Sequence, residues 1–330
     1  MNCRVLSSAL AGIALAVASF SNGAAEARDL RLGLITPPSH VVTLAANRFA
    51  EKIAEETGGQ LTVSVFPSGQ LGSEADMLQQ MQSGLLDMTW PSVAAVTARQ
   101  PTFNAWFTPF LIDNVEMAVQ AADTEAAKEM LESLGELGIL GKGYVFAGQR
   151  HILMRSQPIT AVSDLRNQKI RITPFRATQI WYQALGAIPT PVSLTDVYQS
   201  LQSGLLDGVD IDLDALTGFS LQDVGKQLTL TNHMAWPLAV LMGQEAWEDL
   251  SAEHQAAFSR VLDEVLEWAK QEQVAREVQN RERLLAAIDV SEPEGLEETF
   301  SEANAAFQKE FGDIDVVKRF QEQVRGLRAQ

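Results

Sequence analysis

Cys3 is the only cysteine among the 330 residues, which leaves no intramolecular disulfide and no thiolate zinc site to build. The four histidines, His40, His151, His233 and His254, show neither i,i+4 nor H-x-x-E-H spacing, so a histidine metal site is not expected. No G-x-G-x-x-G, Walker A or G-x-S-x-G run occurs, so nucleotide cradles and hydrolase elbows have no footing. The 42 Asp and Glu residues are spread over solvated helix faces and nominate no general acid/base pair. The expected catalytic set is therefore empty, as are the metal and cofactor sets. What the polar residues can still do is bind, through hydrogen bonds and charge lining a cleft.

The elements that would position such a cleft alternate. Leu30–Thr36 reads as a strand, Val41–Thr57 as an amphipathic helix closed by Gly58-Gly59, and Leu61–Phe66 as a second strand. Ser73–Ser83 follows as a helix capped by Gly72 or Ser73, and Leu85–Trp90 as a third, buried strand. That order implies α/β with a largely parallel sheet. The pattern returns as a strand at Gln168–Ile172 and helices at Ala177–Leu185 and Leu194–Ser203. The hexapeptides Gln82-Ser-Gly-Leu-Leu-Asp87 and Gln202-Ser-Gly-Leu-Leu-Asp207 are identical and 120 residues apart, each a helix stop leading into a buried strand. Two similar lobes with a ligand cleft between them account for this. Ala252–Ile288 holds no Gly or Pro and predicts one long helix of about 50 Å, enough to run along both lobes. Its apolar stripe thins after Trp268, which argues against a coiled-coil dimer, and a monomer is expected. Glu294–Gly312 and Ile314–Leu327 read as further helices.

Lys and Arg number 25, so the formal net charge is −17, which excludes a nucleic-acid binder. Hydrophobic residues make up 46% and charged ones 20%, a globular composition. Residues 1–27 read as a signal peptide: Arg4, the uncharged apolar run Val5–Phe20, and cleavage after Ala25 or Ala27. No later stretch reaches the ~18 apolar residues of a spanning helix, so the expectation is an exported, periplasmic protein.

The middle of the chain carries a resemblance. Gln149-Arg150-His151, Asp164-Leu-Arg-Asn-Gln-Lys-Ile-Arg-Ile172, Leu185-Gly-Ala-Ile-Pro-Thr-Pro191 and Asp196-Val-Tyr-Gln-Ser-Leu-Gln-Ser-Gly-Leu-Leu-Asp-Gly208 stand in order. With Phe49-Ala-Glu51, Gly58-Gly59 and Phe66-Pro-Ser-Gly-Gln-Leu-Gly-Ser-Glu74, they closely resemble the DctP-like solute-binding subunit of tripartite ATP-independent periplasmic (TRAP) transporters. The resemblance implies a two-lobe periplasmic binding fold. It would have residues 28–148 and about 236–276 in the first lobe, and residues 149–235 and about 277–330 in the second. It implies capture of a small organic acid anion by hinge closure and delivery to TRAP membrane permease subunits. A binding protein of an ATP-driven importer and a secreted sugar-acid lyase are the rival readings.

The resemblance also nominates site residues. Arg171 matches the family arginine that pairs with the ligand carboxylate, for which a planar guanidinium offers two parallel charge-assisted hydrogen bonds. Arg150 matches a second, upstream arginine with a one-residue spacing shift, and Glu74 matches a carboxylate that bonds ligand hydroxyls. Trp90 would line the cleft at the end of the third strand. Asp210 and Asp212 stand where sialic-acid-binding members carry asparagine, which speaks against that ligand and suggests hydroxyl acceptors for a polyhydroxy acid. His40, beyond the first strand, is a cleft candidate or a helix cap.

Overall fold

The computed structural model describes residues 27–328, so residues 1–26 of the expected signal peptide lie outside the described residues. In chain order the strands are β1 (Arg28–Gly33), β2 (Leu61–Phe66), β3 (Met88–Thr89), β4 (Ile139–Gln149), β5 (His151–Met154), β6 (Lys169–Ile172), β7 (Ile188–Pro191), β8 (Gly208–Ile211), β9 (Gln227–Thr229), β10 (Ala235–Gly243) and β11 (Asp289–Ser291). They form two sheets, ordered β2-β1-β3-β10-β4 and β11-β9-β5-β8-β6-β7. In the first, β1 pairs parallel with β2 and β3, and β10 closes antiparallel against β3. In the second, β6 pairs parallel with β7 and β8, and β5 closes antiparallel against β8. Each sheet thus holds three parallel strands closed by an antiparallel one, with β4 beyond it in the first and β9 and β11 beyond it in the second, the two-lobe α/β architecture the alternation implied. The lobes join where β4 passes through Arg150 into β5 and where residues 230–234 return from β9 to β10.

The repeated hexapeptide has the same structure in both lobes. Gly84 and Gly204 take φ of +73° and +77°, which favours glycine, and each ends its helix. Leu86 and Leu206 turn inward to the cores. Asp87 and Asp207 each accept the backbone N–H at the neighbouring parallel strand, Arg31 N and Lys169 N, both at 2.8 Å. The expectation of a fully buried Leu-Leu pair is corrected: Leu85 and Leu205 are 65% and 56% exposed, because strand pairing begins only at Met88 and Gly208. For the same reason β3 is shorter than the predicted Leu85–Trp90.

The long helix runs Ala252–Leu285, capped by Ser251 Oγ accepting from His254 N at 3.1 Å. Its first half buries Phe258, Val261, Leu262, Val265 and Leu266, packed against the helix Val41–Glu56 and β4. Its second half buries polar groups as it crosses between the lobes: Gln273 Nε2 still donates to the first lobe, to Ala147 O of β4 at 2.9 Å, and Asn280 is buried beside the second-lobe helix Leu213–Gly218. The thinning stripe marks this crossing. Beyond it, the helix expected at Glu294–Gly312 is divided at Phe300 into Leu296–Thr299 and Ser301–Phe311. The last helix, Asp315–Leu327, departs from the expected placement in the second lobe. It packs on first-lobe elements, with Gln321 Nε2 donating to Thr108 Oγ1 at 3.1 Å and Gln323 Oε1 accepting from Ala126 N at 3.1 Å. Val317, Phe320 and Val324 supply an apolar face that the first lobe covers.

Candidate ligand-binding site

Between the lobes lies a cavity of about 560 Å³, within the range of small-molecule sites. Ile35, Thr36, His40, Glu74 and Ser92 line it from the first lobe, and Arg171, Thr173, Phe175, Ser193 and Asp212 from the second. These residues sit in the segments that follow the carboxyl ends of β1, β2, β3, β6, β7 and β8, where the backbone leaves the sheets and side chains can converge.

Two arginines meet here, in opposite circumstances. Arg150, between β4 and β5, is 2% exposed. Its Nε donates to Asp210 Oδ1 at 2.5 Å, its Nη1 to Asp212 Oδ2 at 3.1 Å and its Nη2 to the Asp210 carbonyl. Its guanidinium also lies over the Trp236 ring, 4.0 Å from the centroid. Arg171, the third residue of β6, is also 2% exposed, yet it forms no ion pair among the described residues. It donates only to carbonyls, from Nε to Val192 O at 2.8 Å and from Nη1 to Asp210 O at 3.4 Å. Burial, then the neighbouring Arg150 charge, push Arg171 down to about 10, with Asp210, Glu74 and Asp212 opposing. It therefore stays protonated at neutral pH, and three of its five N–H groups have no protein acceptor.

Asp210 is the hub beneath them. Its Oδ2 accepts from Tyr182 Oη at 2.8 Å and from His233 Nε2 at 2.9 Å, while Thr231 Oγ1 lies 2.7 Å from His233 Nδ1. Burial would raise this carboxyl, but Arg150, His233 and Tyr182 prevail and hold it well below the usual range. Burial conversely lowers His233, only partly offset by Asp210. Asp210 is fully buried and outside the cavity lining, so the expectation that it accepts ligand hydroxyls is corrected. Asp212 does reach the cavity; it caps the helix Leu213–Gly218, its Oδ1 accepting from Ala215 N at 2.7 Å, and faces Arg150 with the other oxygen. Its pKa is also lowered: burial is outweighed by His40, Arg150 and the Ala215 N–H.

The first-lobe wall carries Glu74 and His40 together with the half-buried Arg99. Glu74 opens the helix Glu74–Gln82; its Oε1 accepts from Ser92 N at 2.5 Å and its Oε2 from Ser92 Oγ at 3.1 Å. Burial raises its pKa against those bonds and the pull of Arg171 and Arg150. His40 caps the helix Val41–Glu56 through Nδ1, which accepts from Val42 N at 3.1 Å. Its proton is thereby placed on Nε2, 3.4 Å from Asp212 Oδ1, making a donor at the cavity wall.

The sequence of this chain carries the matching signature. Residues 32–313 match the sequence model of the DctP family, bacterial extracellular solute-binding protein family 7. The chain belongs to that family. The C4-dicarboxylate-binding periplasmic protein DctP of Rhodobacter capsulatus is 26% identical over 307 residues, covering 93% of this chain and 91% of the relative. A TRAP periplasmic solute-binding protein from Bradyrhizobium sp. BTAi1, in complex with α/β-D-galacturonate, has a TM-score of 0.84 at 27% identity, covering 89% of this chain and all (100%) of that one. The sugar acid binding protein DctPAm from Advenella mimigardefordensis, in complex with galactonate, has a TM-score of 0.87 and covers 91% of this chain and 99% of its own; at 21% identity the likeness is one of fold.

For this DctP-family chain, the structure brings Arg171, Arg150, Glu74, Asp212 and His40 to one cavity. Trp90 is corrected: it is fully buried outside the cavity lining, against Phe49 at 6.5 Å between ring centroids. The strand end turns its neighbour Ser92 to the site instead. Sequence reasoning missed Trp236 and Phe175, which lie 5.7 Å apart edge to face and form an aromatic part of the cavity wall. No local pattern marks either one, since both sit in runs that read as ordinary core.

Proposed function

We propose that the chain is the solute-binding subunit of a TRAP transporter, exported to the periplasm, that closes over a small sugar acid or related organic acid and passes it to a membrane permease. The observation that carries this reading is Arg171, a protonated guanidinium buried in the inter-lobe cavity with no carboxylate paired to it. A cation in that position is poorly stabilised until an anion arrives, and its free N–H groups can hold a carboxylate in a bidentate fork. The ligand's hydroxyls then find acceptors in Glu74 and Asp212 and a donor in His40 Nε2, with Phe175 and Trp236 covering the apolar sugar face. Binding of galacturonate by the Bradyrhizobium relative and of galactonate by the Advenella protein supports a polyhydroxy monocarboxylate. The lobes close because contacts from both walls exist only in the closed state. No step changes the ligand's bonds.

The test is a thermal-shift screen of the purified chain followed by titration calorimetry, using D-galacturonate, D-glucuronate, D-galactonate, succinate and neutral D-galactose. At least one acid should stabilise the protein, by about 2.7 kcal/mol at a hundredfold excess over Kd, and galactose should not. Mass spectrometry should recover the bound acid unchanged. Binding of galactose as tight as that of its acids would overturn the assignment of Arg171, and conversion of the acid would favour the lyase.

A further inference from the structure

A second polar cluster crosses the cleft beside the cavity without belonging to it. Asp214, on the second-lobe helix Leu213–Gly218, is buried and outside the cavity lining. Its Oδ2 accepts from the backbone N–H of Val41, the first residue of a first-lobe helix, at 2.6 Å. Its Oδ1 accepts from Arg276 Nη2 at 2.6 Å, Arg276 Nε at 3.0 Å and Asn280 Nδ2 at 3.0 Å, both residues on the long helix. Arg276 Nη2 also donates to Ser39 O at 2.7 Å, back on the first lobe. One carboxylate and one guanidinium thus tie together both lobes and the helix that spans them.

The packing around this tie is close. A Cβ built on Gly218 would come within 2.9 Å of Pro37 Cγ and 3.1 Å of Ser39 Oγ, so the two lobes touch there with room for glycine alone. The neighbours on both sides, His40 and Asp212, line the cavity. Parting the cavity walls must therefore also part residues 37–41 from residues 213–218.

We infer that Asp214 and Arg276 form a latch across the cleft, which holds the lobes together in the ligand-free chain as in the bound one and sets how readily they open. The chemistry suits a reversible fastening. Asp214 exchanges water for a helix N-terminus, where a negative charge is stabilised, and for a bidentate guanidinium. On opening, all of these groups return to water, so neither state leaves a buried charge unpaired. The latch also connects to the anion site through adjoining groups: His40 lies 3.8 Å from Asp214 and 3.4 Å from Asp212, which pairs with Arg150 above Asp210.

The latch is testable by the separation of the lobes. Leu85 and Leu205, exposed and equivalent in the two lobes, take nitroxide labels as L85C and L205C in a chain carrying Cys3→Ser. Electron-spin distance measurements on the ligand-free protein should show longer distances in Asp214→Asn and Arg276→Gln than in the parent. Gly218→Ala, a steric wedge that removes no charge, should shift them the same way. With D-galacturonate as probe, dissociation should accelerate about tenfold in Asp214→Asn, the factor carried by one charge-assisted hydrogen bond. Parent-like distances in Asp214→Asn and Arg276→Gln, each folded by its melting curve, would overturn the latch. The ligand-free arm needs no acid, so failure of galacturonate to bind would count against the proposed ligand class and leave the latch to be judged on distance alone.

Discussion

Arg150 and Arg171 line the same cavity and are equally buried, yet one stands among carboxylates and the other among carbonyls. Arg150 belongs to the crossing between lobes, where Asp210 and Asp212 match its charge without any ligand. Arg171 belongs to a strand end that opens on the cavity, where its charge can be matched by something that comes and goes. The difference separates a structural cation from a binding cation with the same side chain, burial and neighbourhood. A buried arginine alone says little; the one without a carboxylate partner is where the proposed function seats the anion.

The largest effect that could break this contrast is Arg150→Ala. It strands Asp210 and Asp212 without their cation, and should cost about 3–5 kcal/mol of unfolding free energy in urea titration. Arg171→Ala should leave ligand-free stability near the parent's while weakening the acid found in the calorimetric screen by about 2–5 kcal/mol. If the two variants exchanged these phenotypes, the assignment of roles would fall. Arg171→Lys keeps charge without the fork and should lose a smaller part of that affinity, about 1–3 kcal/mol. Smaller again, Glu74→Gln should lower affinity for hydroxylated acids by about 1 kcal/mol while sparing succinate, read in the same titrations.

Acid titration of the ligand-free protein sharpens the same comparison. His233 is held neutral below its ordinary pKa of about 6.5, so the unfolded chain takes the extra proton and stability falls as pH drops below that value. Asp210 and Asp212 are held ionised below the ordinary value of about 4, so a second, steeper loss should follow under pH 4. His233→Gln should abolish the first loss and keep the second, as melting temperatures across pH 3–8 would show.

How much of this could be read from the chain depended on how local the signal was. The alternation of elements, the long helix and the paired glycine stops are set by residues within a few positions of one another, and they appear where expected. Arg171 was nominated by the family resemblance rather than by any pattern of its own, and the structure sets it on its strand facing the cavity. Asp210 was misread as a ligand acceptor since its partner, Arg150, lies 60 residues upstream, and spacing says nothing about pairs that distant. Trp90 was misread for a related reason: which way the residue after a two-residue strand turns depends on the helix packed against it, here through Phe49. The last helix could not be assigned to a lobe from its own amphipathic face, because either lobe offers an apolar surface to receive it.

The long helix, finally, is two materials in one rod. Over its first half, sliding against the first lobe would tear large apolar side chains from a close-packed seat, and each such loss is expensive. Toward the second lobe its seat is made of hydrogen bonds from Arg276 and Asn280 to Asp214, which water can replace at about 1.5–3 kcal/mol apiece. A rod seated by apolar packing at one end and by hydrogen bonds at the other gives the proposed closure one direction: the first lobe and helix would travel as a chassis, and the second lobe would swing on it.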